Sequence, residues 1–365
     1  MKILALDIGA GTQDVLLYDE EKGSIENCVK IVLPSPSLIF AKKVRKAALL
    51  CKDIFVKGAV IGGGALAHEL KGHVKKGLKV FITERAAYTI RNNLDEVRAM
   101  GIEIIRGENE LGDFDGEILE IEEVNIRSLE RFLAGFGEPV SDVDVVGVAV
   151  QDHGVFPKGM SNRHFRIQKM REFLEGDPKP ENLSFRKDEI PKCFLRMQSA
   201  AQAVRDQLAN AKVLVMDTSL AAILGCLKDP IVEQANSVLA INVGNCHTMA
   251  AMISDGEIVA LMEHHTRRLT FEKIQQLLND FMNGKLSDEE VFEDGGHGLF
   301  YLGEAPSFPK MEAIVATGPN RSILQKTNLP VHFAAPAGDV MMTGPVGLVE
   351  AAKTKFAYHR AKMEP

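Results

Sequence analysis

The spacing of apolar positions changes along the chain, and each change marks an element. Ile3 to Leu6 and Val15 to Tyr18 are short apolar runs on either side of Gly-Ala-Gly-Thr, which predicts a hairpin with a glycine-rich turn. A third strand is predicted through Ile25 to Leu33, ended by Pro34 and Pro36. The next stretch reads as inserted α/β material. It has a helix over Leu38 to Leu50, a strand over Ile54 to Ile61, and the triplet Gly62 to Gly64, which either meets a ligand with its backbone or makes a tight strand-to-helix turn. A helix over about Glu84 to Met100 follows, between strands Lys79 to Ile82 and Ile102 to Ile105. The acidic, glycine-containing segment Asp95 to Gly116 is expected to be exposed.

Val143 to Val150 is almost continuously apolar and β-branched, the pattern of a strand covered on both faces, and it ends at Gln151-Asp152-His153-Gly154. Phe156 to Asp188 is polar and of mixed charge, which predicts a functional loop or lid. A helix over Ile190 to Leu208 leads to a strand Val213 to Met216 closed by Asp217, and Thr218 and Ser219 are expected to cap a small-residue helix Leu220 to Leu227. The pattern then restarts. Val238 to Val243, Met249 to Ile253 and Ile258 to Met262 are three strands joined by tight turns, the second at Asp255-Gly256. Phe271, Ile274, Leu277, Leu278 and Phe281 recur at helical spacing as a core stripe. A glycine-turn hairpin followed by more α/β elements thus occurs once and begins again near residue 236, a weak internal duplication that predicts two similar lobes facing each other.

Length supports that division, since 365 residues are near the limit of one compact core. Forty-three basic residues against 50 acidic ones give a net charge of −7, which disfavours a nucleic-acid surface. No apolar run reaches the roughly 20 residues of a membrane span, and the start lacks a signal-peptide cleavage pattern, so no membrane association and a cytoplasmic address are expected. The five cysteines, Cys28, Cys51, Cys193, Cys226 and Cys246, are scattered and never in a CxxC pair. That excludes a zinc ribbon and the tight three-cysteine cluster of a radical-SAM site within one chain.

Candidate chemistry gathers in the turns. In Asp7-Ile8-Gly9-Ala10-Gly11-Thr12-Gln13-Asp14 the glycines let backbone N–H groups point at an anion, Thr12 adds a hydroxyl, and a strand-terminal carboxylate can hold the water shell of Mg²⁺. A ligand-free glycine turn would use the same residues, and the segment is neither GxGxxG nor a Walker A loop. Asn242-Val243-Gly244-Asn245-Cys246-His247-Thr248 occupies the turn of the second hairpin. Thr317-Gly318-Pro319-Asn320-Arg321 follows the strand Ala313 to Ala316, and Met342 to Leu348 opens the last helix. His247, His264, His265 and His297 show no ligand spacing beyond the adjacent pair, whose side chains alternate across a strand, so no metal site other than magnesium is expected. Cys246 reads as a reactive thiol or as a small packing residue.

The order of these segments resembles the actin-like ATPase superfamily, which also contains sugar kinases, acetate kinase and heat-shock chaperone ATPases. Leu4 to Tyr18 and Val238 to Ile253 look like its two phosphate motifs, Asp217 to Gly225 and Gly344 to Ala352 like its connecting helices, and Ala313 to Ile323 like its adenosine motif. The chain is also similar to a family labelled as a pyruvate formate-lyase activating enzyme. That label implies a cysteine cluster absent here, so its chemistry is not expected, short of iron-sulfur ligands shared between subunits.

The resemblance implies an α/β, two-lobed actin-like ATPase (ribonuclease H-like) fold with duplicated mixed sheets and a nucleotide cleft. The lobes would be residues 1–228, carrying an insertion over about 35–140, and residues 229–365. It implies ATP and Mg²⁺. Gly9, Gly11, Thr12 and Gln13 would clasp the phosphates with Gly244, Asn245 and Thr248, and Gly318, Pro319 and Asn320 would meet the adenosine. Asp7 and Asn242 would hold the metal shell. Asp217 either orients an attacking water or simply caps its helix, and Asp152 is either a base for a substrate hydroxyl or a loop acid without catalytic duty. Asn242 departs from the pattern, since the motif usually begins with Asp and an amide cannot act as a base; Asp14 either compensates or is a solvated strand residue. The leading expectation is a slow ATPase or an ATP-dependent activator of a partner enzyme. The alternatives are a small-molecule kinase of sugar-kinase type and a nucleotide-binding module without catalysis. A symmetric homodimer is compatible with the sequence, though no heptad or apolar stripe identifies its interface.

Overall fold

The computed structural model describes residues 1–303 and 310–357. The first hairpin is β1 (Lys2–Ile8) and β2 (Thr12–Asp19), paired antiparallel, with β3 (Val29–Pro34) antiparallel on the outside. The expected third strand is shortened because Ile25–Asn27 forms a 3₁₀ turn capped by Ser24. The insertion follows as α1 (Pro36–Leu49), β4 (Ile54–Gly58), α2 (Gly64–Lys75), β5 (Val80–Thr83), α3 (Glu84–Ala87), α4 (Leu94–Ala99), β6 (Glu103–Ile105) and β7 (Glu117–Ile121). Its strands make a separate four-stranded parallel sheet in the order β6-β5-β4-β7. Two expectations are corrected here. The helix over 84–100 is broken into α3 and α4, and the Asp95 to Gly116 segment is partly built into the core, because Val97, Ile102 and Ile105 are buried.

After α5 (Ile126–Ala134) the chain returns as β8 (Val145–Val150), buried at every residue and parallel to β1. Then come α6 (Asn162–Leu174), β9 (Ser184–Arg186), α7 (Leu195–Gln207), β10 (Lys212–Met216) and α8 (Thr218–Cys226). Within the expected loop or lid over 156–188, residues 162–174 form a packed helix that buries Phe165, Ile167, Met170 and Leu174, and β9 takes part in the first sheet, while Phe156 and Asn162 line the cavity described below. The N-cap of α8 is Asp217, which accepts from Ser219 N, in place of the predicted Thr218 and Ser219.

The second half repeats the first. β11 (Ser237–Val243), β12 (His247–Ser254) and β13 (Glu257–His265) form an antiparallel meander, whose second turn has positive φ at both Asp255 and Gly256. α9 (Phe271–Met282), α10 (Asp288–Glu293), β14 (Gly298–Tyr301), β15 (Ala313–Thr317), β16 (Val331–Phe333) and α11 (Thr343–Ala357) complete the described chain. The stripe of α9 buries Ile274, Leu278 and Phe281, while Phe271 stays exposed. The two six-stranded sheets run β3-β2-β1-β8-β10-β9 and β14-β13-β12-β11-β15-β16. In each, a three-stranded antiparallel meander is continued on its first strand by two parallel strands. This is the duplicated mixed-sheet architecture of the actin-like fold.

One apolar cluster joins the sheets. It takes Ile3 and Ala5 from β1, Val238 and Ala240 from β11, and the small-residue faces of α8 and α11 between them. The two helices approach so closely that a Cβ on Gly225 would collide with the Thr343 carbonyl, and one on Gly347 with that of Ala221. α11 thus returns across the first sheet, against β1 and β8. No described helix is long and apolar enough to cross a membrane.

Candidate functional site

A cavity of about 670 Å³ lies where the two hairpins face each other, lined among others by Asp7, Thr12, Asn242, Gly244, Gly318 and Gly344. Gly9 N donates to Thr12 O at 2.9 Å, closing the first turn, and Gly244 N donates to His247 O at 2.9 Å, closing the second in the same way. The turns meet: a Cβ added to Gly11 would lie 2.5 Å from Asn245 Nδ2. The Asn320 side chain ties the third loop to the second turn by donating to Gly244 O at 3.0 Å. Gly9, Thr12, Gly244, Asn245, Gly318 and Pro319 all face this cavity. Gln13 and Thr248 are buried in the strands behind it.

Asp7 ends β1 where two helices begin. Thr218 Oγ1, at the start of α8, donates to its Oδ1 at 2.5 Å, and Gly344, in the first turn of α11, presses so close that any side chain there would strike Oδ2. Asp14 stands opposite Asp7 in the β1–β2 register, 7% exposed, with Oδ1 lacking any hydrogen-bond partner and Oδ2 accepting from Thr12 Oγ1 at 3.3 Å. Asp14 is therefore a buried cleft carboxylate and not a solvated strand residue. Burial pushes Asp7 up to about 7 and Asp14 up to about 8, and the charge of Asp7 adds to the shift of Asp14.

The other two acids are engaged. Asp217 turns both carboxylate oxygens to Arg166, at 2.6 and 3.1 Å, besides capping α8. Asp152 accepts from the backbone N–H groups of Gly154, Arg196 and Met197 at 2.8, 2.8 and 3.1 Å, which anchors the start of α7 below the cleft.

Two arginines that the sequence reading did not single out organise the floor. Arg166, 3% exposed, pairs with Glu263 as well as with Asp217, through Nε at 2.8 Å and Nη2 at 3.1 Å. Burial tends to lower the Arg166 pKa, but the two carboxylates raise it overall; burial tends to raise Glu263, but Arg166 and then His297 hold it well below the usual range. Arg196 pairs with the buried Glu123 through two contacts of 2.8 Å, and Glu123 also accepts from Gly62 N. The glycine triplet, with Arg91 and Asn92, therefore forms a far wall of the same cavity, where the insertion meets the cleft. Arg166 is buried on a helix whose apolar residues form no single stripe, so no local spacing within residues 156–188 points to it.

The histidines depart most from expectation. His264 turns away to Asp294, Nε2 to Oδ2 at 2.9 Å, whereas His153, His247 and His297 converge, with ring centroids 4.8 to 5.6 Å apart. His265 lies beside them. Burial lowers His153 well below the usual range, His247 to about 3 and His265 to about 4. Cys246, half-buried, lines the cavity next to His247.

A comparison with curated proteins finds no match. Similar solved structures include the PilM–PilN type IV pilus biogenesis complex, at 11% identity over 96% of this chain and 98% of that one, TM-score 0.41. Others are the ROK hexokinase from Thermus thermophilus, at 11% over 98% and 100%, TM-score 0.33, and the ethanolamine utilization protein EutJ from Carboxydothermus hydrogenoformans, at 10% over 95% and 89%, TM-score 0.32. Likeness at that level says nothing about ligands, and the strand order carries the fold. Residues 61–323, well over half of the chain, match the family described as "Putative pyruvate format-lyase activating enzyme (DUF1786)", and the chain belongs to that family.

Proposed function

We propose that the cleft binds a magnesium nucleotide, ATP in its active state, with the phosphates between the turns at 9–13 and 244–248 and the adenosine against Gly318, Pro319 and Asn320. The observation that carries this reading is the meeting of two duplicated glycine turns over one carboxylate, Asp7, where the N-termini of α8 and α11 converge. Helix N-termini and glycine turns both present N–H groups to an anion.

The donor set suits Mg²⁺. Asp7 and Asp14 are hard oxygen ligands, crowded, desolvated and one short of a partner at Asp14 Oδ1, so a dication between them would return both to their charged form. Asn242 contributes a neutral amide from the opposite hairpin. Asp7, Asp14 and Asn242 would hold the ion, which would supply positive charge to offset the charge that develops on a transferred phosphoryl group. The chain's own part is positional. Thr12 and the backbone of residues 9–12 hold phosphate, Asp217 fixes Arg166 beneath the cleft, and Asp152 fixes the His153 loop. This arrangement serves a slow ATPase or an ATP-dependent activator of a partner protein. A small-molecule kinase is the second reading, favoured by the extension of the cavity to Gly62, Arg91 and Asn92 of the insertion, which leaves room for an acceptor. The cysteines stand apart, and no group of three appears among the described residues, so the family's descriptive name is not carried into the mechanism.

Isothermal titration calorimetry with ATP, ADP and a non-hydrolysable analogue, with and without Mg²⁺, tests the reading. Saturable, magnesium-enhanced binding is expected, with the magnesium increment lost in Asp7→Asn. Absence of binding at millimolar nucleotide would overturn it. Asp217→Asn retains a helix cap, and a folded variant that binds nucleotide with only modestly slowed turnover is expected. Lost turnover with intact binding would instead give Asp217 a direct chemical role.

A further inference from the structure

We propose that His153, His247 and His297 form a binding site for a borderline first-row dication of the zinc type, distinct from the magnesium position at Asp7 and Asp14. The three come from separate parts of the fold. His153 follows β8 in the first sheet's half, His247 opens β12, and His297 immediately precedes β14. One ring nitrogen from each lies within 4.8 Å of those of the other two. Zn–N bonds of about 2.0–2.1 Å put tetrahedral ligand nitrogens about 3.3 Å apart, so the remaining closure of roughly 1.5 Å is within the reach of imidazole rotation.

Hydrogen bonding points the same way. His297 is 0% exposed, and its Nε2 has no partner. Its Nδ1 stands 3.0 Å from Glu263 Oε2 but out of line for a hydrogen bond, and His247 Nδ1 is also buried and unpartnered. Buried ring nitrogens without partners are costly and need an explanation, and a cation would satisfy one on each of these two rings. Glu263 stands 3.0 Å from the far nitrogen of His297, within reach of the carboxylate–histidine contact that would orient this imidazole once the ring turned into line on a metal. Its charge is available for that, because the single cation Arg166 lies between two carboxylates, Asp217 and Glu263, leaving the buried cluster one negative charge in excess.

Imidazole donors select zinc and its neighbours over magnesium, which prefers carboxylate and water. Three protein ligands leave a fourth position, the form of a catalytic rather than a structural zinc site. His153 and His247 line the same cavity as Asp7, so that position is available to an oxygen of whatever the cleft holds. Because His153 is set apart from His247 and His297 in the duplicated fold, the metal would also link the two halves.

The test uses tag-free, nucleotide-free protein, so it does not depend on the nucleotide reading. Co²⁺ is titrated and the visible d–d bands are recorded, followed by displacement with Zn²⁺ and a challenge with excess Mg²⁺. Expected are one Co²⁺ per chain with the intense bands of a four-coordinate site, bleached by Zn²⁺ and untouched by Mg²⁺. His153→Asn and His247→Asn, matched to the parent by circular dichroism, should weaken binding by more than the roughly 10–100-fold that loss of an outer-shell partner costs. His68→Gln, at an exposed position, should bind as the parent does. His297 is fully buried, so the conclusion does not rest on its variant. Weak octahedral-type bands, or equal binding by the parent and both variants, would overturn the site.

Discussion

Arg166 shows how a single residue can decide the floor of a cleft. It is buried with two carboxylates, and taking the arginine away leaves two negative charges without a partner in a medium that solvates them poorly. Arg166→Met should therefore destabilise the protein by about 3–5 kcal/mol in urea denaturation. A loss below 1 kcal/mol or so would mean that water reaches the cluster. His73 makes a separate prediction. It sits at 1% exposure on α2, and burial lowers its pKa below the ordinary 6.5, opposed by the Lys52 backbone and Asp53 and assisted by Lys76. The unfolded chain takes up this proton first as pH falls. The residue's contribution is complete above the unfolded value and declines as pH drops through it toward the folded one. Chemical denaturation at about pH 7.5 and about pH 5.5 should show lower stability at the acid end, with a smaller difference in His73→Leu. An unchanged difference would show that His73 is protonated without cost.

At the scale of elements, the crossing of α8 and α11 joins the two halves of the fold. Its helices are legible in the sequence, since Leu220 to Leu227 and Thr343 onward are small-residue runs that begin at capping or turn signals. Their contact is not legible, because nothing local records that Gly225 meets the Thr343 carbonyl. Gly225→Ala should cost roughly 1–3 kcal/mol through overpacking, in contrast to the gain that alanine brings to an exposed helix. Thermal unfolding measures this, and a stabilised variant would show that the helices separate easily. The segment 156–188 failed as a prediction for a related reason. Its polar surface reads as a loop, but α6 buries Phe165, Ile167 and Met170 on more than one side, together with one arginine that only a tertiary partner can satisfy.

Across the whole molecule, the duplicated strand order places two glycine turns face to face, and the nucleotide titration tests that arrangement as a unit, because binding needs both halves in register. The hairpins, the restart near residue 236, the burial of both faces of the apolar strand Val145–Val150 and the acids at strand ends were all determined by the sequence itself. Each is written in local periodicity and turn chemistry, which a few neighbouring residues suffice to specify. What only the tertiary structure decided is which groups share a space. His153, His247 and His297 are far apart in the chain, as are Arg166, Asp217 and Glu263. Their meeting depends on helix crossings and sheet register, and those follow from packing over the whole core and from no spacing visible along the chain.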